Sequence, residues 1–94
     1  MFEFEFYNNE IDDRDILPDA RGIVDAIYYA FDYLTEYYPH PRRLWDVEIT
    51  KIDRDGWAVA SWNVTDLINT MRLTGATLSR AELLKAAPRL RVKI

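Results

Sequence analysis

The sequence predicts an α+β fold, a two-layer sandwich of ferredoxin-like βαββαβ order. Three observations predict it. Apolar and charged residues alternate in three separate places, Phe2–Phe6, Arg42–Ile52 and Arg89–Ile94. A long amphipathic stretch, Pro18–Tyr38, follows the first of these. A second helical segment, broken in two at Gly75, precedes the last. The expected molecule is one domain over 1–94, with helices covering one face of a four-stranded antiparallel sheet.

Phe2-Glu3-Phe4-Glu5-Phe6 alternates strictly, which gives a strand one buried and one wet face. Asn8–Asp15 is polar and acidic and reads as a loop. Its carboxylates, Glu10, Asp12, Asp13 and Asp15, lack the ligand spacing of a known calcium loop.

Pro18–Tyr38 reads as the central helix. Pro18 suits a first turn, where its missing N–H would be unpaired anyway, and Asp19 favours the positive end of the helix dipole. At about 100° per residue, Ile23, Ile27, Ala30, Phe31, Leu34 and Tyr38 share one side, flanked by Val24, Ala26 and Tyr37. Pro39 and Pro41, around His40, stop the helix. The opposite side carries Asp25, Tyr28, Tyr29, Asp32 and Glu36, with Tyr33 on the border. Tyrosine supplies large contact area at low entropic cost, so this acidic face is a candidate partner-binding surface.

Asp53-Arg54-Asp55-Gly56 is turn chemistry and joins two alternating runs into a hairpin. A four-residue turn pairs Ile52 with Trp57, Val47 with Trp62, and Ile49 with Ala60. Trp45, Val47, Ile49, Ala60 and Trp62 then face the core, and Ile52, Trp57 and Val59 face outward. A one-residue bulge would reverse one strand. Trp57 joins the candidate partner-binding residues, as part of an apolar patch near the hairpin tip. The acidic turn is no EF-hand, because Trp57 and Val64 occupy its fifth and twelfth positions.

Asn63 or Thr65 caps a short helix over Asp66–Leu73, which Gly75 ends. Ser79 and Glu82 form a capping box that opens a helix to Ala87, and Pro88 ends it. The final strand sets Arg89, Arg91 and Lys93 against Leu90, Val92 and Ile94. Ferredoxin-like order makes the first and last strands neighbours. The charges of Glu3 and Glu5 against this basic strand predict the same pairing. The open face of such a sheet carries Glu3, Glu5, Asp46, Glu48, Trp57, Val59 and the basic strand.

Composition narrows the function. Apolar residues at 49% with charged residues at 30% indicate a globular chain. The absence of cysteine excludes disulfides, thiol catalysis and thiolate metal sites. His40 stands alone as a candidate base or metal ligand, and the three glycines are too scattered for a phosphate loop. No enzyme, cofactor or metal site is therefore expected. Net charge −4 opposes nucleic-acid binding and suits a basic partner. The opening MFEFEFYNNE is no secretory signal and no apolar run spans a bilayer, so a cytoplasmic location without membrane contact is expected.

These features predict a small acidic, non-catalytic protein-binding module, whose partner is another protein of basic character. Inhibitors of a toxin, nuclease or defence complex are one such class, by analogy of size and charge. The alternatives are a homodimer that binds a small ligand through its sheet face, and a nucleic-acid-binding domain.

Overall fold

The computed structural model describes residues 2–38 and 44–92. The expectations for Pro39–Arg43, Lys93 and Ile94 lie outside them. The elements are β1 (Phe2–Asn8), β2 (Asp13–Leu17), α1 (Ile23–Tyr37), β3 (Val47–Asp53), β4 (Ala58–Asn63), α2 (Thr65–Thr74), α3 (Arg80–Leu90) and β5 (Arg91–Val92). The five strands form one open antiparallel sheet in the order β2-β1-β3-β4-β5.

The stretch read as an acidic loop is instead the turn and second strand of a hairpin. Asp12, at φ 50°, supplies the left-handed residue of the turn, and its carboxylate accepts the Tyr7 hydroxyl at 2.6 Å. β2, DRDIL, is a poor strand by composition and forms because only its inner edge needs a partner. Asp13 and Asp15 project toward the helix side, opposite Asn8 and Phe6, and charges so placed discourage another strand from joining this edge. Leu17 is its one buried anchor.

This hairpin overturns the ferredoxin-like strand order. β2 takes the edge of β1 that the last strand was expected to fill, so β3 and β4 separate β1 from β5. β2 and β3 are each antiparallel to β1 and therefore parallel to one another, with β1 between them and α1 crossing over. Charge pairing of β1 persists with a partner nearer in sequence: Arg14 of β2 lies 3.4 Å from Glu5. Arg89 belongs to α3, because Pro88 sits within that helix and does not end it. Among the described residues the last strand spans Arg91–Val92.

α1 starts five residues later than expected. Leu17 closes a β-turn with Ala20, whose N–H donates to the Leu17 carbonyl at 3.1 Å, and Pro18 takes the second position that its fixed φ favours. Asp25, not Asp19, then lies in the first turn. Val24, Ala26, Ile27, Ala30 and Leu34 are buried and Ile23 and Phe31 pack against the core, as read. Tyr37 and Tyr38 are exposed instead. That buried side meets α2 and α3 as well as the sheet.

The β3–β4 register is two residues from the predicted one, Ile49 pairing with Trp62 and Lys51 with Ala60. An even slip keeps every side chain on its face, so Val47, Ile49, Ala60 and Trp62 do face the helices. A bulge follows, in which Ile52 pairs with Ala58 and Val59 is the extra residue, so the alternation of β4 reverses there and the expected shared face of Ile52, Trp57 and Val59 is not kept. Gly75 ends α2 at φ 70°, and the Ser79–Glu82 capping box opens α3, both as read. Asn63, through its side-chain oxygen, accepts the Thr65 N–H at 3.1 Å.

The core lies between the sheet and the helices, where Phe4, Phe6, Val47 and Ile49 meet Ile27, Leu34, Ile68, Met71 and Leu83. Asn69 of α2 clamps the approach to β3. Its amide oxygen accepts the Trp45 N–H at 3.0 Å, and its amide nitrogen donates to the Trp45 carbonyl at 2.7 Å. Trp45 is buried but lies outside any strand, so this side chain substitutes for a ladder. Asn69→Ala leaves both backbone groups unpaired and should lower stability by about 2–3 kcal/mol. A denaturant midpoint shift at unchanged m-value checks this, and a loss below about 0.5 kcal/mol would show that the clamp is dispensable.

Candidate functional site

All three helices cover one face of the sheet, and the other face is open. Alternation along the strands decides what stands there. In one cross-strand row Arg14, Tyr7, Glu48 and Asn63 lie side by side, and in the next Ile16, Glu5, Thr50, Ser61 and Val92. Glu3 and Ile52 form the row nearest the β3–β4 turn. Thr50 and Ser61 hydroxyls meet at 3.3 Å across the middle. Arg14 lies over the Tyr7 ring, 4.6 Å from its centroid, besides its contact with Glu5. The hydrogen bond to Asp12 is the chief cause that holds the Tyr7 hydroxyl protonated above its ordinary range. Asp46 precedes β3, outside this surface, and of the expected basic strand Arg89 lies in α3 and Arg91 in β5, opposite Trp62 on the helix side.

The β3–β4 turn bounds this face. Asp53, Arg54 and Gly56 join Glu3, Glu5, Ile16 and Ile52 around a shallow cleft of about 460 Å³. The turn itself is tied. Asp53 accepts the N–H groups of Asp55 and Trp57 on one carboxylate oxygen, each at 2.9 Å. Its backbone exchanges two further bonds, from Gly56 N–H and to the Trp57 carbonyl. Gly56, at φ 87°, is the position where a side chain would strain the loop. Trp57 therefore projects from a pre-ordered tip and is 73% exposed, the most exposed large apolar side chain among the described residues.

The tyrosine-bearing helix face is less free than its spacing suggested. Asp25 binds Arg80 of α3 at 2.9 Å. Tyr28 packs against the core, and its hydroxyl donates to the Leu78 carbonyl, so it does not project into solvent with its neighbours. Tyr33 stacks between Phe6 and Tyr37, with centroids 5.1 and 4.7 Å away, and burial is the main cause that raises its hydroxyl pKa. Tyr29, Asp32 and Glu36 remain exposed along α1. The seven candidate residues thus divide between fold-holding contacts, a narrow strip of α1, and Trp57 on a different element.

Ile16 falls between the stretch read as a loop, Asn8–Asp15, and the helix expected from Pro18, so the sequence reading gives it no role. Two turn signals, Asn8-Asn9 and Pro18-Asp19, bracket its strand and were the available clue. Among the described residues no group of His, Asp or Glu is placed to hold a metal ion, and no helix is long and apolar enough to cross a membrane. Comparison with known protein families, with curated proteins and with solved structures returned no match.

Two predictions follow from this geometry. Asp53→Ala removes two of the bonds that tie the turn. It should increase fast backbone motion at Trp57, read as a lower NMR order parameter, at a cost in stability of about 1 kcal/mol. An unchanged order parameter would show that the turn is held by its backbone alone. The Arg80 guanidinium, and after it the Arg21 N–H, depress the carboxyl pKa of Asp25. A folded pKa below the unfolded one stabilises the protein above the ordinary carboxylate range. That contribution disappears as pH falls through it, from about 5 downward. Arg80→Gln should raise the Asp25 carboxyl pKa by NMR and cost about 0.2–1 kcal/mol near pH 7, since the Arg80 side chain is 64% exposed.

Proposed function

We propose that this chain is a small non-catalytic protein-binding module that engages another protein through the open face of its sheet, with Trp57 as the anchor at its edge. The observations that carry this reading are an uncovered sheet face and, on the tied turn at its end, a largely exposed tryptophan. Aromatic anchors dominate binding energy at protein interfaces, and one already ordered loses less entropy on docking. Ile16, Val59 and Val92 are also exposed, on or next to this face, and supply further apolar area. An inhibitor of a larger complex is one role that such a module serves.

Charge opposes the alternatives. A face-to-face dimer brings Glu3, Glu5 and Glu48 of two copies together, and the same carboxylates repel a phosphate backbone. Strand addition is hindered at the β2 edge by its inward aspartates.

Tagged protein used for capture from a lysate of its own source cells tests the reading. A stoichiometric partner retained at high salt should be lost with Trp57→Ala and kept with the Tyr29→Ala, Asp32→Ala double variant. Loss in the double variant alone moves the site to α1. Retention in both variants overturns the role of Trp57 and of the sheet face beside it.

A further inference from the structure

We infer that the cleft between β2, β1 and the β3–β4 turn receives a lysine or arginine side chain from a basic segment of the partner protein. This rests on the sheet-face reading above and adds the chemistry of what binds there. The cross-strand register makes the argument. Glu5 stands opposite Ile16, and Glu3 stands opposite Ile52, so carboxylate and aliphatic groups alternate across the cleft floor. A long cationic side chain has the same two-part character, an apolar stem and a charged head. Its methylenes lie on Ile16 and Ile52 while its head meets Glu3 and Glu5.

The molecule already contains one such contact. Arg14 brings its guanidinium to Glu5 from the β2 side at 3.4 Å and spreads over the Tyr7 ring. Glu3 is exposed in the neighbouring row. The volume, about 460 Å³, exceeds what one side chain fills, so flanking residues of the segment also find room. A second copy of this chain offers more carboxylates to the cleft, and an acidic or phosphorylated segment is repelled. Arg54 lines the cleft and, like Arg14 on Glu5, opposes a cationic guest. It provides a test of opposite sign.

The experiment titrates the isotope-labelled chain with a blocked peptide of about ten residues that alternates lysine with leucine, beside the same peptide with glutamate for lysine. The lysine peptide should shift the amide resonances of Glu3, Glu5, Ile16, Ile52 and Gly56, and the glutamate peptide should not. Its affinity should fall about tenfold between low and high salt. Glu3→Gln, an isosteric change at an exposed site, should weaken it about fivefold, and Arg54→Ala should tighten it about threefold. Equal response to both peptides overturns the proposal. So do shifts confined to Tyr29, Asp32 and Glu36, shifts of the cleft that depend on protein concentration without peptide, or no response at all. Unchanged resonances elsewhere show that each variant is folded. If the lysine peptide fails while Trp57-dependent capture persists, the cleft proposal falls and the module reading stands.

Discussion

β1 is hydrogen-bonded along both edges, to β2 on one side and β3 on the other, and most of the architecture depends on this pairing. Its alternation sends Phe4 and Phe6 into the core and Glu3 and Glu5 to the open face. With both edges of β1 filled, the last strand pairs with β4 at the far side of the sheet. Double pairing also places the two glutamates between flanking strands, which is how each comes to stand beside an isoleucine. One strand therefore supplies the core aromatics and the acidic floor of the proposed site.

The helical layer holds the sheet in place by polar as well as apolar contacts. Ala26 and Ala30 let α1 approach closely, and Asn69 supplies Trp45 with hydrogen bonds that an irregular backbone cannot find in a ladder. Asn8 does similar work at the same end of β3, its side-chain oxygen accepting N–H groups from Glu10 and Asp46. The Asp25–Arg80 pair joins α1 to α3. These contacts use part of the polar surface that a helical wheel assigns to solvent.

The open face combines order with exposure. Its side chains are positioned by cross-strand register, and the turn that bounds it is tied by the carboxylate and backbone of Asp53. A rigid surface loses little conformational entropy when a partner docks, so even modest apolar area and a few carboxylates can contribute net affinity. The strip of α1 with Tyr29, Asp32 and Glu36 offers charge but fewer apolar neighbours.

Local chemistry was legible in the sequence wherever one short signal acts alone. The alternation of Phe2–Phe6, the Asp53–Gly56 turn, the Gly75 stop and the Ser79–Glu82 box all appear as read, because each depends on residues within one turn or one strand. The α+β class followed from their order. Tertiary structure decided what depends on partners distant in the chain. β2 is a strand only because β1 offers it an edge, and its pairing displaced the ferredoxin-like order and brought Ile16 to the cleft. Tyr28, Tyr33 and Asp25 face outward on an isolated helix, and only the presence of Leu78, Phe6 and Arg80 turned them to structural use. Periodicity states that a face exists, whereas the neighbour that covers it is a property of the packed whole.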